Sequence, residues 1–131
     1  MKTEDARRML DACRAKATEM GKAVSVAIMD AGGSMVVFER VNNAPPFTAY
    51  VAECKAAGSA HTGMPSANLA GMAERLPSLA ATIGSRLNGR FIALQGAIPL
   101  RRDGDLIGSI GVSGATSEED EQIAQAGGAA L

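Results

Sequence analysis

The sequence predicts an α+β fold with an antiparallel sheet, on three observations. Two pairs of β-rich runs are each joined by a turn-forming segment, Ala31-Gly32-Gly33-Ser34 in the first and Asp103-Gly104 in the second. Stretches with apolar residues at helical spacing precede, separate and follow these hairpins. The resulting order of helix, hairpin, helices, hairpin, helix segregates the two structure types, as α+β layer folds do. With 131 residues the chain forms one domain over 1–131, large enough to bury about two-thirds of its unfolded surface.

The first helix is expected to start at Thr3 as N-cap, with Glu4 and Asp5 in its first turn. Ala6, Met9, Leu10, Cys13, Ala17 and Met20 then recur at helical spacing until Gly21. Val24 to Asp30 and Met35 to Arg40 are the strands of the first hairpin. Residues 42–47 contain a Pro-Pro pair and form a loop, after which Thr48 caps an Ala-rich helix running to about Thr62. Ser66 and Pro77 open two short helices, and residues 90–94 add a short strand. In the last strand, two-residue alternation puts Leu106, Gly108, Ile110 and Val112 on one face and Ile107, Ser109, Gly111 and Ser113 on the other. Glycine inside a strand means a bulge or the close approach of another backbone or a ligand, here of a packed helix or of a ligand. The final helix opens on Thr116 with Glu119, or Ser117 with Asp120, at capping-box spacing. The acidic run 118–121 suits the positive end of the helix dipole better than it suits a metal.

Net charge of −1 and a chain only 3% aromatic give neither the electrostatic footprint nor the stacking platforms of a nucleic-acid binder. The core must be filled by small and aliphatic side chains and 7 methionines. Cys13 and Cys54 lie on separate helices without zinc spacing and are expected to be reduced, buried and inert. The N-terminus turns acidic at once and no run reaches membrane-span length, so no membrane partner is expected and the location expected is cytoplasmic.

Gly111-Val112-Ser113-Gly114-Ala115 misses the nucleophile-elbow pattern at its last position, and any catalytic triad would have to use the single histidine, His61. No dinucleotide or phosphate-loop fingerprint is present. What remains is a set of polar residues at the ends of apolar elements: Asp30, Arg40, Glu53, Lys55, His61 and Arg101. Asp30 serves its own turn through backbone hydrogen bonds. Arg40 pairs with Asp30 or holds a ligand carboxylate in its bidentate fork. Lys55, among Ala52, Ala56 and Ala57, either snorkels to solvent or points its ammonium into a cleft. His61 either caps the end of its helix or ligates a metal.

Asp30-Ala-Gly-Gly33 with Arg40, Lys55-Ala56, Gly96 with Pro99, Asp103-Gly104, Ile107-Gly108, the Ile110 to Gly114 ending and the acidic residues 119–121 together resemble the GlcG/HbpS family. That family includes haem-binding proteins and the C-terminal domain of PduO-type cobalamin adenosyltransferases. The resemblance covers nearly the whole chain. It implies a profilin-like, five-stranded antiparallel sheet flanked by helices and assembly into homo-oligomers. Many Ala, Gly and Met residues with few aromatics separately suggest under-covered apolar surface, so a dimer or higher even-numbered assembly is expected, with the ligand pocket close to a subunit boundary. The resemblance also implies a small-ligand-binding protein whose ligand is haem or a related tetrapyrrole. His61 is then the candidate iron ligand, Lys55 and Arg40 the partners of the propionates, and Gly111 a point of close ligand approach. The rival is a small catabolic enzyme acting on an oxygenated or aromatic carboxylic acid, with Lys55 or His61 as acid/base and Arg40 holding the carboxylate. A non-catalytic subunit that scaffolds or senses a metabolite is the third reading.

Overall fold

In a computed structural model describing residues 1–131, the elements follow the expected order. They are α1 (Thr3–Glu19), β1 (Ser25–Asp30), β2 (Met35–Arg40), α2 (Phe47–Thr62), α3 (Ser66–Arg75), α4 (Pro77–Arg86), β3 (Ala97–Arg102), β4 (Asp105–Ser113) and α5 (Ser117–Gly128). The sheet has four strands in the order β2-β1-β4-β3, all antiparallel, and not the five expected from the family resemblance. Residues 90–94, expected as a short strand, are irregular. Phe91 from this segment packs over Gly58 of α2, where an added Cβ would meet its ring at 3.1 Å. The side chains therefore serve packing while the backbone joins no ladder.

The two faces of the sheet are covered differently. Val26, Ile28, Leu100, Ile110 and Val112 meet α1 and α5 through Met9, Leu10, Cys13 and Ile123 in an aliphatic core. The opposite face carries Ser25, Ala27, Met29, Ser109, Gly111 and Ser113 and takes α2. Small residues let α2 descend onto the strands: a Cβ at Gly111 would lie 2.6 Å from the Ala56 nitrogen and overlap the Ala52 carbonyl oxygen. Helix packing is what Gly111 of β4 accommodates. Ser109 Oγ donates to Ala56 O at 2.7 Å, and Ser25 Oγ and Thr48 Oγ1 lie 2.8 Å apart, so these three buried hydroxyls are paired.

The alternation in β4 holds from Ser109 onward and fails before it. The β3–β4 register shifts between Leu100 and Arg101, so that Leu100 faces Gly108 while Arg101 faces Leu106. The extra residue of this bulge turns Ile107 into the aliphatic core and leaves Leu106 beside Gly63 at the end of α2, the reverse of the simple alternation.

Local signals at the turns fare better. Asp103 (φ 52°) and Gly104 (φ 88°) both take positive φ, as a type I′ turn requires. Thr116 and Glu119 form a reciprocal capping box, and Pro77 occupies the first turn of α4. Two expected caps are displaced. α1 has Lys2 at its N-cap position with no side-chain cap, and α2 begins at Phe47, with Thr48 Oγ1 donating to Pro45 O.

Candidate functional site

Helix α2 places its two chemically distinctive side chains in separate cavities. Lys55 faces the sheet in the middle of the helix, and His61 lies in its last turn. Their cavities share no lining residue.

Lys55 neither snorkels nor stands free. Its ammonium donates to Val112 O at 2.9 Å and to Asp120 Oδ2 at 2.9 Å, and the two side chains are 1% and 3% exposed. The other carboxylate oxygen of Asp120 accepts the Ala115 N–H at 2.9 Å. Burial pushes the Asp120 carboxyl above the ordinary carboxylate value, against the opposing pull of the Lys55 hydrogen bond. Gly96 makes room for the pair, since a Cβ there would lie 2.6 Å from Lys55 Nζ. Lys55 and Asp120 border a cavity of about 280 Å³ walled by Phe47, Val51, Ile92 and Leu94, with Ser113 and Ser117 among its polar lining.

Asp120 is one of two residues that sequence reasoning missed. Its place in an acidic first turn has an adequate local explanation, and its partner stands 65 residues away on another element. Its neighbour Glu119 does behave as a cap and surface residue, bonding Thr116 and pairing with Lys22 at 3.1 Å. Both interactions hold the Glu119 carboxyl below its usual value.

His61 projects from the C-terminal turn of α2, and Nδ1 lies 2.9 Å from Ala57 O, one helical turn back. A carbonyl only accepts, so Nδ1 carries the proton and the Nε2 lone pair is left for another partner. The β1–β2 turn lies against the ring. A Cβ at Gly33 (φ +76°) would lie 2.9 Å from Nδ1 and closer still to Cε1. His61 lines a cavity of about 210 Å³ with Thr82, Ile83, Arg86 and Leu87 from α4 and its C-terminal end.

The other expected site residues are dispersed. Arg40 is exposed on the edge strand β2, opposite Ser25, and lines neither cavity, so it does not converge with Lys55 on one anion. Gly111 is buried beneath α2, which fills the space a ligand would need. Asp30 Oδ1 accepts the N–H groups of Gly32 and Ser34, the turn role expected of it. Glu53 pairs with Arg90, and Arg101 donates to Gly104 O and Gly63 O. Cys13 is buried, its thiol pushed up to about 12 by burial, whereas Cys54 is only half-buried, contrary to expectation. Arg86, beside His61, carries no signal in the sequence beyond its place at the end of a short helix. No helix is long and apolar enough to cross a membrane.

Comparison with solved structures matches both fold and chain length. The crystal structure of HbpS superposes with a TM-score of 0.89 at 30% identity, covering 100% of this chain and 89% of that one. The crystal structure of a PduOC:heme complex superposes with a TM-score of 0.88 at 30% identity, covering 100% of this chain and 94% of that one. The corrinoid adenosyltransferase PduO of Salmonella typhimurium is 30% identical over 127 residues, 97% of this chain but only 38% of that protein. The family model described as haem degrading protein HbpS-like matches residues 1–129, and the chain therefore belongs to the HbpS-like family.

Proposed function

We propose that the protein binds haem or a related tetrapyrrole at the His61 cavity. The observation that carries this reading is His61 itself: an imidazole whose Nδ1 is held by Ala57 O, leaving Nε2 as a lone-pair donor beside Ile83, Leu87 and Arg86. Metal-ligating histidines are oriented by such a bond through the second ring nitrogen. The neighbours supply what else haem needs, an apolar flank and a cation for a propionate. Arg86 fills the role that the sequence alone suggested for Lys55 and Arg40. Family membership and the PduOC:heme relative support the same ligand.

The cavity, at about 210 Å³, is smaller than the roughly 300–1,000 Å³ usual for enclosed ligands. A macrocycle held there would extend beyond it, and we infer that assembly of the chain into a homo-oligomer covers the remainder. Haem when bound supplies the iron chemistry. The chain's own residues orient Nε2, provide the apolar flank and balance a propionate.

Haemin titrated into the protein should give a saturable Soret shift whose position changes in His61→Ala. Nonspecific broadening in the wild type would remove haem from the reading. A band identical in His61→Ala would assign the iron to another residue.

A further inference from the structure

The Lys55–Asp120 cavity is a second site with a different chemistry, independent of the haem reading. Two of the three N–H bonds of the Lys55 ammonium are placed, on Val112 O and Asp120 Oδ2, and the residue borders a cavity of about 280 Å³. Charge decides which ligand that third N–H can take. Asp120 already balances the ammonium, so a carboxylate would bring a second, uncompensated negative charge into a buried site. A neutral carbonyl compound brings none, and its oxygen accepts the remaining N–H. Phe47, Val51, Ile92 and Leu94 offer apolar walls to an aromatic or branched body.

We propose that this cavity receives a small apolar aldehyde or ketone, which Lys55 captures as an imine with Asp120 carrying the proton. Lys55 Nζ first gives a proton to Asp120 Oδ2, over the 2.9 Å that separates them. The amine lone pair then forms a C–N bond to the carbonyl carbon, and the carbonyl electron pair moves to oxygen, giving a carbinolamine once the nitrogen's proton has passed to that oxygen. The proton held by Asp120 goes to the hydroxyl, which leaves as water, and the nitrogen lone pair forms the C=N bond of a protonated imine. Carbonyl and ammonium are consumed, iminium and water are formed, and Asp120 ends as the carboxylate that faces the new cation. The raised Asp120 carboxyl suits it to hold the proton between these steps.

The test is reductive trapping on the full chain with benzaldehyde and cyanoborohydride at about pH 6, where ordinary lysines, with pKa about 10.4, are almost wholly protonated. Peptide mass mapping should find benzylated Lys55 ahead of the surface residues Lys2, Lys16 and Lys22. Asp120→Asn should slow modification of Lys55 by about a hundredfold, the scale of a lost acid/base partner, and leave the surface lysines unaffected. Val51→Trp, which fills the cavity and keeps both members of the pair, should abolish modification of Lys55 in a protein whose circular dichroism is unchanged. Modification confined to surface lysines, or a wild-type rate at Lys55 in either folded variant, would overturn the proposal.

Discussion

Two positions on α2, one in mid-helix and one in its last turn, hold their polar groups in opposite ways. Lys55 is buried and paired: its charge is balanced by Asp120 and tied to a backbone carbonyl. His61 is exposed, oriented by one bond within its own helix and left with a free nitrogen. One position has high structural stakes, since breaking a buried pair leaves the other charge unpaired. The other can be altered with little effect on folding. Residue type does not announce this difference; it comes from what the rest of the chain brings to each position.

The largest expected effect is at the buried position. Lys55→Met should destabilise the protein by about 3–5 kcal/mol, the cost of leaving a carboxylate buried without its partner. The double variant Lys55→Met/Asp120→Asn should recover more than half of that loss in denaturant unfolding. Equal losses in the single and double variants would mean that Lys55 matters for its packing and not for its charge.

Beneath Ala52 and Ala56, Gly111 sets how deep α2 lies. Gly111→Val gains strand propensity but meets the α2 backbone, and should cost about 1–3 kcal/mol. An unchanged melting temperature would contradict the close approach.

The exposed position should respond weakly in stability and strongly in geometry. Gly33→Ala combines a positive φ with a methyl group driven into the His61 ring, and should cost about 1 kcal/mol while shifting the imidazole resonances. His61→Ala should change stability by no more than about 0.5 kcal/mol, as exposed substitutions do. A large loss on His61→Ala would make the histidine a structural residue and erase the contrast between the two positions.

The smallest effect is in pH. Asp120 titrates above its ordinary value in the folded chain, so the folded state binds more protons there and stability falls as pH rises through that raised value. Glu119 titrates below its ordinary value, so its contribution is present above the unfolded value and is lost as pH falls through the folded one. Carboxyl carbon NMR should show these adjacent residues titrating in opposite directions from 3.8 and 4.5, their respective reference values. A downward shift at Asp120 would mean that Lys55 outweighs burial.

How much of this was legible in the sequence follows from the range of each interaction. The Asp103-Gly104 turn, the Thr116 capping box and the helix start at Pro77 are local, and the residues that make them are neighbours. Alternation put Ser109, Gly111 and Ser113 on one face, which α2 covers, and glycine within the strand suggested a bulge or a close approach, but neither signal could place the bulge that exchanges Leu106 and Ile107, because the extra residue is defined only by pairing with β3. Residues 90–94 read as a strand from their apolar composition, but Phe91 is partly buried against α2 and Leu94 is exposed, and composition alone does not distinguish such a segment from a ladder. Lys55 and His61 were found by residue type. Asp120 and Arg86 were not, because each becomes notable only when folding brings it to a partner on another element.

Gallium protoporphyrin, a diamagnetic stand-in for haem, titrated into isotopically labelled protein, would locate the tetrapyrrole by chemical shift. Perturbations should centre on His61, Ile83, Arg86 and Leu87 and spare Lys55, Ser113 and Asp120. Perturbations centred on Phe47, Leu94 and Ser113, with His61 unmoved, would place the ligand in the Lys55 cavity and contradict the assignment.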